Sequence, residues 1–231
     1  MILPLNDTEK TRYGDTPMTL MIIFVCAVIW LLQELLLLSD YDDLFYLGVF
    51  FLGTSPEQIL TQNGFGGLTT LTATFLHGGF AHMFLNMWAL WVFGRRVEDA
   101  CGPWRFLGFY LFCGATCTIA YTIIHADSPI PAIGASGAIY GVMAAYLLLY
   151  PEGRIRILIL APLPIWPRVR AFWVVLFFFI TELPAALDIL TNNARYSTAH
   201  WGHLGGFFGA LSILFFLRPQ AFRRYINHLP I

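Results

Sequence analysis

Long apolar runs separated by short polar stretches set the pattern of this chain. A helix needs about 20 predominantly apolar residues to cross a bilayer, and six runs approach or exceed that length. They lie at about residues 18–38, 79–97, 104–124, 135–150, 171–190 and 201–217. The pattern predicts an all-α polytopic membrane protein with six transmembrane helices in one domain at 18–217, between tails at 1–17 and 218–231.

Two segments differ from a simple span. The run at 135–150 is short, which fits a helix whose outer end stops below the membrane surface and leaves Ser136 in a hydrated cavity. The segment 39–78 is apolar in places but is interrupted by glycines and a proline. It is too apolar for a solvated linker and too interrupted for a span. We therefore expect a first loop that is embedded partly in the membrane.

The thirteen basic residues indicate how the spans are oriented. Twelve of them lie on one side of the predicted spans, namely Lys10, Arg12, Arg95, Arg96, Arg105, Arg154, Arg156, Arg168, Arg170, Arg218, Arg223 and Arg224. Only Arg195 falls in a loop on the other side. The positive-inside rule then places both termini in the cytoplasm. Ser136 and His203 consequently lie at similar depth, near the outer ends of the fourth and sixth spans.

The composition supports the membrane class and excludes nucleic acid as a partner. Hydrophobic residues make up 58% of the chain and charged residues 12%, and the charged share is about half that of a typical soluble domain. The net charge of −1 gives no basis for binding nucleic acid. The polar start of the chain does not resemble a cleaved signal peptide. We expect a multi-pass protein of a prokaryotic plasma membrane with its site towards the outer face.

Polar groups inside the apolar runs are the candidates for chemistry, because such groups are costly in a bilayer and are by default functional. Ser136 opens the fourth run, and His200 and His203 open the sixth. A serine hydroxyl becomes a nucleophile when a base takes its proton, and histidine suits that task near neutral pH. The two histidines are three residues apart and share a helix face, so spacing leaves both open as the base.

Glycine strips predict how two of the spans pack. Gly137 and Gly141 are four residues apart in the fourth span, and Gly202 and Gly206 have the same spacing in the sixth. Small residues at this spacing let helix backbones approach closely in lipid, so we expect these two spans to pack together. His203 lies between the two glycines of the sixth span, which would bring it towards the nucleophile.

The second span carries another polar set. His82 and Asn86 are four residues apart on one helix face, and both can donate hydrogen bonds to an oxyanion. A polar seam between helices is the alternative interpretation. His77, at the start of the span, is expected to hold the loop. No metal is expected, because the histidine spacings lack H-x-x-x-H and no paired acid or cysteine accompanies them.

Glu182 is the one acid deep within a span, close to Pro184 in the fifth. We interpret it as a carboxyl group that is satisfied within the bundle or held protonated. No other buried carboxylate is evident, so the sequence predicts a Ser-His dyad rather than a triad.

Four blocks in this order resemble the rhomboid family of intramembrane serine proteases. Within roughly residues 65–217 they are His77-x4-His82-x3-Asn86, Gly94-x3-Glu98 with Gly102, Gly134-Ala135-Ser136-Gly137 with Tyr140, and His203-Leu204-Gly205-Gly206. The resemblance implies a rhomboid-like bundle of six helices in which 39–78 forms the membrane-embedded first loop. It also implies a structural network around Glu98 on the inner side. The family's loop commonly carries a Trp-Arg pair, and the equivalent stretch here is Gly66-Gly67-Leu68-Thr69-Thr70.

The resemblance also implies a role for each matching site residue. Ser136 matches the nucleophile and His203 the general base, which is preferred to His200 because Gly206 follows it by three residues. Tyr140 matches an aromatic residue that packs on the base. In the second span, His82 and Asn86 match side chains that stabilise the oxyanion together with the backbone N–H of the serine.

The implied function is cleavage of a single-spanning membrane protein within or near its transmembrane helix, without a cofactor. The substrate would enter sideways from the lipid between the second and fifth spans. One alternative is a rhomboid-like binding or quality-control protein without activity, although such proteins lack the serine or the histidine and this chain has both. Another is a proton-linked transporter, which would keep its activity when Ser136 is replaced.

Overall fold

Helices occupy all six of the apolar runs. The computed structural model describes residues 2–7, 15–39, 41–61, 65–126, 128, 130–161, 163–192 and 200–217. In chain order the helices are α1 (Pro17–Leu38), α2 (Asp42–Leu52), α3 (Pro56–Thr61), α4 (Thr69–Thr72), α5 (Phe80–Ala89), α6 (Arg95–Cys101), α7 (Pro103–Ile124), α8 (Ser136–Leu149), α9 (Ala171–Asn192) and α10 (His200–Leu217). A π-helical turn at Leu90–Gly94 joins α5 to α6. The tail at 218–231 and Arg195 lie outside the described residues.

Length and composition identify three membrane-spanning candidates among the described residues. These are Pro17–Leu38, Pro103–Ile124 and Ala171–Asp188, and Ser136–Leu149 is a shorter apolar helix. The chain is therefore mostly helical and carries helices apolar enough to cross a bilayer. The count of six crossings and their orientation stay predictions.

A small sheet corrects the all-α prediction. Its strands are β1 (Ile2–Asp7), β2 (Arg154–Ala161), β3 (Leu163–Ile165) and β4 (Arg168–Arg170). The central strand β2 pairs antiparallel with the other three. Its start alternates Arg, Ile, Arg, Ile, and the two isoleucines are buried. Such alternation of polar and β-branched residues is typical of a half-buried strand, but it does not form the long apolar run by which a membrane span is recognised.

The segment between α1 and α5 contains short helices rather than an irregular loop. Besides α2, α3 and α4 it has 3₁₀ turns at Gly66–Leu68 and Ala73–Phe75. Helix α2 has no buried residue and exposes large apolar side chains, including Leu44, Leu47 and Phe50. An exposed apolar helix of this kind is suited to the membrane interface.

The beginning of α1 is fixed by Glu98, a buried residue of α6. Its carboxylate accepts hydrogen bonds from the backbone N–H groups of Met18 and Thr19, at 2.9 and 2.7 Å, and from the Thr19 hydroxyl at 2.7 Å. The first N–H groups of a helix have no partner within the helix, and a negative charge there also favours the helix dipole. Glu98 therefore ties α1 to α6.

Helices α7, α8 and α10 form the packed centre of the bundle. A Cβ added at Gly206 would lie 2.0 Å from the Gly137 carbonyl oxygen, and one at Gly141 would lie 3.0 Å from the Gly206 carbonyl oxygen. Gly205 and Gly209, also four residues apart on α10, face α7 instead, since a Cβ at Gly209 would lie 2.2 Å from the Thr116 hydroxyl oxygen. Because these glycines have no side chains, the backbone of α10 can approach both α7 and α8 closely.

Candidate active site

Ser136 and His203 meet where α8 and α10 are in closest contact. Ser136 is the first residue of α8, and His203 lies in the first turn of α10. The distance from the Ser136 Oγ to the His203 Nε2 is 2.8 Å. A hydroxyl at this distance can donate its proton to an unprotonated imidazole nitrogen. The structure thus brings together the two residues that were predicted to act as nucleophile and base.

His200 does not occupy the position of the base. Its Nδ1 lies 2.5 Å from the Glu182 Oε2, and its ring centroid is 6.2 Å from that of His203. Spacing alone left both histidines open, and in the structure it is the His203 ring that contacts the Ser136 hydroxyl. His203 faces Ser136, whereas His200 faces α9.

Glu182 corrects the expectation that no carboxylate approaches the histidine. Its Oε2 lies 2.9 Å from the His203 Nδ1, on the side of the ring opposite the serine. The glutamate side chain is buried and belongs to α9. Ser136, His203 and Glu182 therefore form a continuous hydrogen-bonded chain with the connectivity of a Ser-His-acid triad.

Tyr140, one turn after the serine on α8, contacts both other members of this chain. Its ring stacks on the His203 imidazole, with centroids 4.6 Å apart and planes 8° from parallel. Its hydroxyl donates a hydrogen bond of 2.6 Å to the Glu182 Oε1. The aromatic residue predicted to pack on the base thus lies against it and also holds the acid.

His82 and Asn86 of α5 lie beside Gly134, two residues before Ser136. Gly134 has φ = +129°, and a Cβ there would lie 2.7 Å from the His82 Cε1 and 3.8 Å from the Asn86 Nδ2. Only glycine adopts this backbone conformation readily and leaves room for the imidazole. The Asn86 Nδ2 is buried and has no hydrogen-bond partner among the described residues. It is therefore a donor available to a ligand.

The first loop holds the segment that leads into α8. Thr54 and Ala132 exchange backbone hydrogen bonds of 2.9 and 2.8 Å, and the Gly134 N–H donates to the Ala73 carbonyl at 2.9 Å. The Thr54 hydroxyl also donates to the Thr69 carbonyl at 3.1 Å. The backbone just before Ser136 is thereby fixed by contacts across the loop, which is anchored without the Trp-Arg pair.

His77 has the position expected of a residue that holds the loop. It is buried, and its backbone N–H donates to the Gln33 Oε1 of α1 at 3.1 Å. Burial, together with the neighbouring His82 ring, lowers the pKa of His77 to about 4, so its imidazole is neutral at pH 7. The Gln33 contact was not predicted, although a glutamine in an apolar run is a signal for such a partner.

Two cavities reach Ser136. The larger has a volume of about 340 Å³, and its walls include Asn86 and Trp88 of α5, Phe178 of α9 and Pro4 of β1. The smaller, of about 30 Å³, lies on the other side of the serine and is lined in part by polar threonines. The larger is mainly apolar and can accept a piece of an apolar chain, whereas the smaller has room for water.

Glu182, His200 and His203 also meet the spacing of a metal-ligand set. Their nearest ligand atoms lie within 4.8 Å of one another. No acid neighbours these histidines in the sequence, but the fold brings Glu182 next to them. Hydrogen bonds account for the same arrangement, and the expectation of a metal-free site stays a prediction.

Spacing could not reveal the contact of Glu182 with His203, because the residues lie 21 positions apart on different helices. One signal was available in the sequence. An ionisable group in an apolar span requires a polar partner at its own depth, and the adjoining span begins with two histidines.

Comparison with known proteins identifies sequences related to the part of the chain that contains the candidate site. The Rhomboid domain model matches residues 66–220. Rhomboid protease GluP of Bacillus subtilis is 41% identical over 95 residues, which cover 41% of this chain and 18% of that protein. The mitochondrial presenilin-associated rhomboid-like protein of Bos taurus is 38% identical over 92 residues, covering 39% of this chain and 24% of the relative.

A longer match is to Rhomboid protein 1, mitochondrial, of Saccharomyces cerevisiae, at 28% identity over 149 residues, or 60% of this chain and 38% of that protein. Each alignment thus covers less than half of the relative's length. Several of these relatives are mitochondrial, so the expected prokaryotic plasma membrane gains no support from them.

Proposed function

The chain belongs to the rhomboid family, and from that premise we propose that it is an intramembrane serine endopeptidase. Its substrate is a single-spanning membrane protein, cut in or near the transmembrane helix. The observation that carries the proposal is the 2.8 Å contact between the Ser136 Oγ and the His203 Nε2. An inactive rhomboid-like protein would have no use for a serine whose proton is already directed at a base.

The reaction begins with the attack of Ser136 on the scissile carbonyl while His203 takes the hydroxyl proton. The carbonyl oxygen becomes an oxyanion, which the Asn86 amide, the His82 ring and the N–H groups at the start of α8 stabilise. His203 then gives its proton to the leaving amine, and an acyl-enzyme remains on Ser136. A water molecule, deprotonated by His203, releases the acid product and restores the serine.

The substrate reaches the serine from the lipid, between α5 and α9. Residues of both helices line the 340 Å³ cavity, Trp88 on one side and Phe178 on the other, and Ser136 lies in the same cavity. A substrate segment that unwinds here contacts mainly apolar walls. Its apolar side chains therefore move from the bilayer into a similarly apolar environment. The segment 193–199, which follows α9, lies outside the described residues.

The decisive experiment uses the full chain, purified in detergent and given a labelled transmembrane substrate. Ser136→Ala and His203→Ala should each lower kcat/KM by about 10³-fold or more, and Ser136 should react with a fluorophosphonate in the wild type. Ser212→Ala is the matched serine control, because that hydroxyl bonds to the Gly209 carbonyl within α10 and to no other described residue. Cleavage that continues at the wild-type rate without Ser136 would refute the proposal.

His200→Ala separates the two histidines in the same assay. It should lower activity only in part, because His200 contacts Glu182 and not the serine. A loss as complete as that of His203→Ala would reverse the assignment of the base.

A further inference from the structure

A single carboxylate of α9 collects three hydrogen bonds beside the nucleophile and base. The Glu182 Oε2 lies 2.5 Å from the His200 Nδ1 and 2.9 Å from the His203 Nδ1, and the Oε1 accepts from the Tyr140 hydroxyl at 2.6 Å. Two helices besides α9 contribute to this cluster. A buried carboxylate is strongly penalised unless its oxygens have such partners.

The contact with His203 determines which imidazole nitrogen carries the proton. A carboxylate accepts hydrogen bonds and does not donate them, so the His203 Nδ1 must hold a hydrogen towards Glu182. The Nε2 of a neutral ring then has a free lone pair, and this is the nitrogen that faces the Ser136 hydroxyl. Without the carboxylate, the ring could place its proton on Nε2 and could not accept the serine proton.

We propose that Glu182 is a positioning residue that holds His203 in the tautomer and orientation needed to deprotonate Ser136. This inference rests on the proposed function and extends its dyad to three members. His200 and Tyr140 fix the carboxylate in turn, since Tyr140 bonds to the oxygen that His203 does not use and His200 adds a second contact to the oxygen that His203 shares. The carboxylate also lies beside the first turn of α10, whose dipole favours a negative charge.

The cluster predicts a specific effect on the reaction rather than on substrate binding. As His203 takes the serine proton it becomes an imidazolium, and the adjacent carboxylate stabilises that charge. Glu182 would therefore act mainly in the transition state. Its loss should lower kcat and leave KM nearly unchanged. A residue that only supports packing would alter the thermal stability and KM as well.

The test compares Glu182→Gln with Glu182→Asp and with Asp43→Asn, which removes an exposed carboxylate of α2. Glutamine has nearly the same shape but can donate to the His203 Nδ1 and favour the wrong tautomer. We expect kcat to fall by about 10²-fold or more with glutamine. Aspartate keeps the charge, so its kcat should be at least about tenfold higher than that of the glutamine variant. The Asp43 variant should match the wild type. EDTA in every assay removes any contribution of a metal at the cluster.

Two outcomes would overturn the inference. They are a kcat for Glu182→Gln within about threefold of the wild type, or a loss of rate that parallels a loss of thermal stability in both variants. Reaction of wild-type Ser136 with a fluorophosphonate separates these outcomes from failure of the proposed function. If the serine does not react, the protease assignment fails; if it reacts and Glu182→Gln is fully active, only the role of Glu182 fails.

Discussion

Replacing Gly206 by alanine should separate the nucleophile from its base without altering either residue. The new methyl group would lie 2.0 Å from the carbonyl oxygen and 2.8 Å from the carbonyl carbon of Gly137, while real Cβ contacts are essentially never shorter than 3.0 Å. The obstructing atoms belong to the backbone of α8, so no side-chain rotation relieves the overlap. Helices α8 and α10 must move apart by about 1 Å.

That displacement acts directly on the proton-transfer contact. Gly137 follows Ser136, and Gly206 lies one turn beyond His203, so separating the glycines lengthens the 2.8 Å distance between the Ser136 Oγ and the His203 Nε2. A misplacement of about 1 Å costs on the order of 10²-fold in rate. Overpacking should also lower the free energy of unfolding by about 1–3 kcal/mol.

The assay is kcat/KM on the transmembrane substrate, measured beside the thermal unfolding midpoint. Gly108→Ala is the matched control, since a Cβ at that exposed position of α7 would meet nothing within 4 Å, and it should leave kcat/KM unchanged. A Gly206→Ala variant with wild-type activity would refute the claim that backbone contact between α8 and α10 sets the catalytic distance.

A second glycine allows a rescue experiment that Gly206 does not. A Cβ at Gly137 would lie 2.1 Å from the Cys117 Sγ and 2.4 Å from the Cys117 Cβ, but 3.6 Å from the Gly202 carbonyl oxygen. The obstruction is therefore a side chain of α7. Gly137→Ala should lose activity alone and recover it when combined with Cys117→Gly, whereas Cys117→Gly should not rescue Gly206→Ala.

Three other predictions concern stability and the oxyanion. Glu98→Ala should lower the free energy of unfolding by about 3 kcal/mol, because two N–H groups of α1 lose their acceptor; an unchanged unfolding midpoint would contradict this. Asn86→Ala should lower kcat by about 10²-fold without lowering that midpoint, because its amide nitrogen has no bond to lose among the described residues; the opposite pattern would indicate a packing role. Acidification from pH 6.5 towards 4 should destabilise the fold. The pKa of His77 is 6.5 for a free side chain and about 4 when it is buried. Between these pH values the unfolded state therefore binds more protons than the folded state, and acid favours unfolding. His77→Gln should flatten that dependence in thermal melts followed against pH.

The sequence predicted those features that a local pattern encodes. Apolar runs located the long helices, and the four-residue spacing of Gly137 and Gly141 indicated a surface for close packing. The sheet was missed although Arg154 to Ile157 alternate in the manner of a strand. The contact of Glu182 with His203 was missed for another reason, because it depends on how α9 packs against α10, and the spacing of residues along one helix contains no information about a second helix.

Two polar side chains of the site, Glu182 and Asn86, differ in whether the folded protein gives them hydrogen-bond partners. Glu182 accepts hydrogen bonds on both oxygens in the resting protein, so its effect on His203 is present before a substrate arrives. The Asn86 amide nitrogen has no partner among the described residues and lies in the wall of the cavity that contains Ser136. An unpaired buried donor costs about 1–3 kcal/mol, and a seam that served only to pack helices would pair it. A donor that gains its partner only as the oxyanion develops strengthens binding of the transition state and not of the ground state. The unpaired amide therefore favours a catalytic role for Asn86 over a polar seam between helices.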